Sequence, residues 1–85
     1  MLARVDVSTT VLQLIRRHAP QLPPFDNEVA GASLAEAGLA SMAAVRLMLD
    51  LEAEFGIAIP DAELTPENFA TLETIVALVA RLRRL

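Results

Sequence analysis

Hydrophobic residues recur three or four positions apart in three stretches of the chain, which is the spacing of amphipathic helices. In the first stretch this pattern follows the hydroxyl residues 8–10, which are good N-caps, and it ends in three basic residues at 16–18. Three prolines between residues 20 and 24 then stop the helix. The sequence therefore predicts a first helix that ends near His18, followed by a stiff loop to about Ser33.

The middle stretch predicts a second helix from Ser41 to Phe55. Gly56 is placed to end this helix, and Pro60 prevents it from resuming. When successive residues are projected at 100° each, the core side of the helix comprises five residues: Ala44, Leu47, Met48, Leu51 and Phe55.

Two large apolar residues of this helix, Met42 and Leu49, project away from the core side and lie next to the charged Arg46. Single apolar residues are common on protein surfaces, but these two share a side of the helix with Ser41. We therefore predict a partner-docking surface formed by Leu39, Met42, Arg46 and Leu49.

The remaining predicted elements are shorter or close the chain. Residues 33–36 match a capping box, which predicts a turn of helix before Gly38, and residues 65–67 have the cap, first-turn proline and first-turn acid of a short helix. Thr71 is the predicted cap of a last helix, whose apolar stripe consists of Leu72, Ile75, Val76, Val79 and Leu82. The pattern predicts an all-α protein with three main helices and one short helix, in a single domain covering residues 1–85.

Composition limits the chemistry that the chain can support. A chain of 85 residues can hardly enclose a deep catalytic cleft. It has no cysteine and one histidine, which excludes thiolate metal sites, sites built from several histidines and a cysteine nucleophile. We therefore predict no catalytic residues and no metal ligands. No secretory signal and no apolar run of about 18 residues is visible, so we expect a cytoplasmic protein without a membrane span.

The charges are unevenly distributed along the chain. Residues 28–73 carry nine acidic residues and one basic residue, Arg46, whereas the whole chain has a net charge of −4. An acidic middle repels the phosphates of nucleic acids, so we expect no nucleic-acid binding.

The sequence around Ser41 resembles the acyl carrier protein family. The resemblance rests on Ala-Gly-Leu-Ala-Ser-Met at residues 37–42 and on Glu-Phe-Gly-Ile-Ala-Ile-Pro-Asp at residues 54–61. It implies a small four-helix bundle in which Ser41 carries a covalent 4′-phosphopantetheine arm, attached by a separate phosphopantetheinyl transferase. Such a carrier is not an enzyme, and it holds its cargo as a thioester on the arm. The absence of cysteine agrees with this, because the arm brings its own thiol.

A narrower likeness is to the discrete aminoacyl carrier proteins of some bacteria. These are similar to this chain in Gly-Leu-x-Ser at residues 38–41, without the aspartate that usually precedes the serine, and in Phe-Ala-Thr-Leu at residues 69–72. The likeness implies loading by a stand-alone amino acid:[carrier protein] ligase that resembles the core of a class II aminoacyl-tRNA synthetase. The implied cargo is a small amino acid such as glycine or alanine.

Alternatives remain at the level of sequence. An acyl carrier protein for fatty acid, polyketide or lipid biosynthesis would share the attachment serine, although Ala40 and Arg46 stand where such carriers often have acids. A helical interaction module without an arm would share the amphipathic helices. A small enzyme is the least favoured reading, because His18 and the carboxylates show no acid–base spacing. In each of the carrier readings we expect a monomer.

Overall fold

A computed structural model describes residues 7–23, 29, 31–39 and 42–83 of the protein. In these ranges the secondary structure is helical, with no β-strand. Helix α1 is Val7–His18, α2 is Met42–Phe55 and α3 is Leu72–Arg83, with a single 3₁₀ turn at Asp61–Glu63 between α2 and α3. The predicted all-α architecture with three main helices is confirmed.

Helix α1 packs extensively against both other helices, whereas α2 and α3 contact each other much less. Its side chains Val11 and Ile15 are fully buried and Leu14 is nearly so. Among the described residues, the buried hydrophobic core is aliphatic apart from one aromatic ring, that of Phe69. Helix α1 is therefore the central element that joins the two others.

Helix α2 is oriented as the 100° projection predicted. Leu47 and Leu51 are fully buried, while Met42 and Leu49 are 60% and 53% exposed. The helix ends before Gly56, which has a φ of +64°. A residue in this left-handed conformation terminates a helix, and glycine adopts it without strain. The predicted exposed apolar pair and the predicted end of the helix are both confirmed.

The short elements differ in detail from the prediction. The capping-box serine accepts a hydrogen bond at Oγ from the Glu36 N–H at 3.3 Å, but residues 34–38 form turns instead of a turn of helix. The Thr65 hydroxyl accepts from the Asn68 N–H at 3.1 Å, and residues 66–69 are also turns. The short helix lies instead at Asp61–Glu63, where the Pro60 carbonyl accepts from the Glu63 N–H at 2.8 Å.

The N-terminus of α3 has the predicted cap. The Thr71 hydroxyl accepts a hydrogen bond from the Thr74 N–H at 3.2 Å, and the Thr74 hydroxyl accepts from the Thr71 N–H at 3.0 Å. This reciprocal pair satisfies two backbone donors at the helix start, in the manner of a capping box.

Candidate functional site

The loop that leads into α2 is fixed by backbone hydrogen bonds. The Leu34 N–H donates to the Ala70 carbonyl at 2.9 Å, and the Leu39 N–H donates to the Leu34 carbonyl at 2.8 Å. The side chains of Leu34 and Leu39 are buried in the core. The chain is therefore anchored up to Leu39, three positions before the first residue of α2.

Ser41, the predicted attachment residue, lies outside the described residues together with Ala40. Its neighbours in sequence are a buried anchor, Leu39, and the exposed first residue of α2, Met42. The first turn of α2 contains no acidic residue. Its free N–H groups and the positive end of the helix dipole suit a phosphate there. The described surroundings thus fit a phosphopantetheine group attached at position 41.

An open groove of about 610 Å³ lies between the start of α2 and the segment before α3. Its walls are mainly apolar, and the principal side chains are those of Leu39, Met42, Val45, Leu64, Pro66 and Phe69. Ser33 and Thr65 add hydroxyl groups. The groove reaches the residues that flank position 41, so a flexible group attached there would meet an apolar surface.

The four predicted docking residues do not all lie on one surface. Met42, Arg46 and Leu49 are exposed on the same side of α2. Leu39 is only 4% exposed and belongs to the core, so it does not share this face. The reason is that Leu39 lies at the end of the loop before α2 and its side chain packs into the hydrophobic core.

One contact near this face was missed by sequence reasoning. The His18 Nε2–H donates a hydrogen bond to Asp50 Oδ2 at 2.6 Å, which joins the end of α1 to the middle of α2. The sequence pattern indicates His18 only as one of three basic residues at the end of the first helix, and it does not indicate a partner on another helix. The available signal was that His18 continues the buried stripe of Leu14 and Ile15, and therefore points towards a neighbouring helix.

Two kinds of feature are absent from the described ranges. They hold no group of three or more His, Cys, Asp or Glu residues that could bind a metal ion. They also hold no helix that has both the length and the apolar character needed to cross a lipid bilayer.

Comparison with known families decides what kind of site this is. A family model described as "Phosphopantetheine attachment site" matches residues 10–82, which include position 41, all of α2 and most of α1 and α3. The chain belongs to this family. It is a carrier protein with a phosphopantetheine attachment site.

Characterised relatives of this carrier protein have more specific names. Aminoacyl carrier protein 1 of Bradyrhizobium diazoefficiens is 39% identical over 74 residues, covering 87% of this chain and 82% of the relative. Aminoacyl carrier protein of Agrobacterium fabrum is 33% identical, covering 81% of this chain and 83% of the relative.

Solved structures support the same relationship. The carrier protein superposes with a TM-score of 0.71 and 35% identity on a chain from the complex of an engineered Bradyrhizobium japonicum glycine:[carrier protein] ligase with a carrier protein from Agrobacterium tumefaciens and ATP. The match covers 89% of this chain and 99% of that chain. A chain from the complex of the Bradyrhizobium japonicum ligase with glycylated carrier protein gives a TM-score of 0.68 at 36% identity, covering 85% and 96%.

Proposed function

We propose that this protein is an aminoacyl carrier protein whose attachment residue is Ser41. The observation that carries the proposal is the family match over residues 10–82, combined with relatives of 33–39% identity that are aminoacyl carrier proteins. Ser41 occupies the serine position of the Gly-Leu-x-Ser motif. It is also the residue directly before the first turn of α2, where a phosphate is electrostatically favoured.

The residues of this chain hold and orient the attachment site. Leu39 anchors the preceding loop in the core, and α2 provides an ordered start immediately after Ser41. The bound arm would supply a thiol that carries the aminoacyl group as a thioester. We propose that the chain itself catalyses no step, and that separate enzymes attach the arm, load the cargo and remove it.

The proposed loading partner is an amino acid:[carrier protein] ligase, and the proposed cargo is glycine. Both come from the solved relatives, which were crystallised with a glycine:[carrier protein] ligase, one of them as a glycylated carrier. Two features of this chain support a partner of that kind over the enzymes of fatty acid synthesis. Ala40 and Arg46 stand where carriers for fatty acid synthesis often have acids, so a basic docking face on an enzyme of fatty acid synthesis would bind this chain less favourably.

Mass spectrometry after modification tests the attachment residue. We expect incubation with coenzyme A and a broad-specificity phosphopantetheinyl transferase to add one arm to the wild type and none to Ser41→Ala. Ser33→Ala is the matched control, because Ser33 also lies by the groove and should leave the mass gain unchanged. An unmodified wild type, or a Ser41→Ala variant that still gains the arm, would contradict the proposal.

Loading of the modified protein tests the cargo. We expect the Bradyrhizobium japonicum ligase, with ATP and radiolabelled glycine, to charge the wild-type protein and not Ser41→Ala. Acylation by a fatty acyl ligase in place of glycylation would favour an acyl carrier and contradict the aminoacyl assignment.

A further inference from the structure

Arg46 is an exposed cation without a partner in the described part of the chain. It is the single basic residue between positions 28 and 73, in a stretch with nine acids. None of the described carboxylates bonds to it, although Asp50 lies one helical turn further along α2. Opposite charges four residues apart on a helix normally attract each other, even in this less favourable order. The unpaired state of Arg46 therefore needs a cause.

The cause lies in the contact between α1 and α2. Asp50 is turned towards α1, where its Oδ2 accepts the 2.6 Å hydrogen bond from His18. The His18 side chain is 17% exposed and that of Asp50 is 36% exposed, so the bond is partly shielded from water. Since Asp50 is held by His18, Arg46 keeps its charge uncompensated on the outer side of α2.

The neighbours of Arg46 on that side are apolar. Met42 lies one turn before it and Leu49 about one turn after it, and the exposed Ala53 continues the same line. We call Met42, Arg46, Leu49 and Ala53 the α2 stripe. It extends about 16 Å along the helix. A single cation set between exposed apolar side chains matches a protein surface that offers a carboxylate bordered by apolar groups.

We propose that the α2 stripe docks onto the loading ligase, at an apolar site where a ligase carboxylate pairs with Arg46. We further propose that His18 is a positioning residue, which keeps Asp50 from neutralising Arg46. The inference rests on the proposed function, since the partner is the ligase. It adds the chemistry of the contact and assigns a role to a residue on another helix.

A charge series at Arg46 tests the docking contact. The measurement is the association rate with the Bradyrhizobium japonicum ligase, at low and at high ionic strength. We expect Arg46→Gln to slow association about threefold and Arg46→Glu about tenfold at low salt, with much smaller effects at high salt. Glu54→Gln removes one charge of the opposite sign from α2 outside the stripe, and its effect on the association rate measures the contribution of general electrostatics. If Arg46→Glu associates as fast as wild type, the proposal is wrong.

A double-mutant cycle tests the role of His18. We expect His18→Ala to slow association about twofold, because the released Asp50 then attracts Arg46. This effect should vanish in the Asp50→Asn background, where no carboxylate is left to release, and in the Arg46→Gln background. A purely structural role for His18 predicts a different result, in which His18→Ala and Asp50→Asn each impair association and the double variant does not recover.

Two further measurements distinguish this proposal from its alternatives. Modification of the wild type at Ser41 and its glycine loading test the proposed function, so a failure of either in the wild type would overturn that function and not the docking contact alone. Sedimentation of the free protein checks whether a second copy covers the α2 stripe. Self-association that Arg46→Glu abolishes would assign the stripe to that copy and overturn the proposal.

Discussion

Two glycines with similar backbone conformations have different surroundings. Gly38 has a φ of +101° and Gly56 a φ of +64°, both in the region that side chains rarely adopt. A Cβ at Gly38 would lie 3.1 Å from Pro20 Cδ, whereas a Cβ at Gly56 would meet nothing within 4 Å. Gly38 is thus required both by its own conformation and by the loop that follows α1, while Gly56 is required by conformation alone.

We expect Gly38→Ala to destabilise the protein more than Gly56→Ala. The Gly56 variant should lose about 1 kcal/mol, the cost of a left-handed conformation with a Cβ, and the Gly38 variant should lose more because the proline must also move. Gly31→Ala is the control, since its Cβ meets nothing and its φ is not in that region. Urea unfolding followed by circular dichroism measures all three, and equal losses at positions 38 and 56 would refute the steric argument.

The sequence predicted residue positions well where they follow from helical geometry. Met42 and Leu49 were placed outside the core from a projection alone, and both are more than half exposed. The bond between His18 and Asp50 was beyond such reasoning, because it joins residues 32 positions apart on two different helices. A pattern along one helix gives the direction of a side chain, but not the residue that it meets.

Among the elements, α3 has its N-terminal cap set by two threonines. Sequence reasoning identified Thr71 from its position before the apolar stripe, but not Thr74, which stands where a capping box usually has Glu or Gln. The short helix between α2 and α3 was predicted at residues 65–67, but it lies at Asp61–Glu63. The 3₁₀ turn at Asp61–Glu63 has no side-chain cap at Pro60, so no capping pattern in the sequence indicated it.

We expect Thr71→Ala to lower the free energy of unfolding by about 1 kcal/mol. The substitution removes the hydroxyl that accepts from the Thr74 N–H and leaves that donor without its cap. Thr9→Ala serves as the control, because Thr9 is exposed within α1, and its change should stay within about 0.5 kcal/mol. The comparison uses urea unfolding of the two variants, and a Thr71 loss no larger than the Thr9 change would show that the cap adds no stability.

On the scale of the whole molecule, folding brings the basic end of α3 back to residues in the middle of the sequence. Arg81 forms an ion pair with Glu63 at 3.1 Å, and the Arg83 guanidinium lies over the ring of Phe55 at 5.6 Å from its centre. The sequence showed the separation of charge but not which groups meet. The Arg81–Glu63 pair is partly exposed, and ion pairs at the surface contribute about 0–1 kcal/mol, so stability must depend mainly on the core.

Truncating a core side chain should therefore lower the free energy of unfolding, whereas truncating a side chain of the α2 stripe should leave it nearly unchanged. Ile15 is fully buried in α1, the helix that contacts both others, so Ile15→Ala should cost about 2–5 kcal/mol out of a total of about 4–13 kcal/mol. Leu49→Ala removes an exposed side chain of similar size and should change stability by less than about 0.5 kcal/mol.

Ligase association distinguishes the two sites once stability has been measured by urea unfolding. At a temperature where both variants are folded, we expect Leu49→Ala to weaken association with the ligase and Ile15→Ala to leave it close to wild type. The opposite result would be normal association of Leu49→Ala and weakened association of folded Ile15→Ala. It would mean that association with the ligase depends on the packing of α1 and not on the outer side of α2. The aliphatic core would then be part of recognition, and not only the support that holds α2 in place.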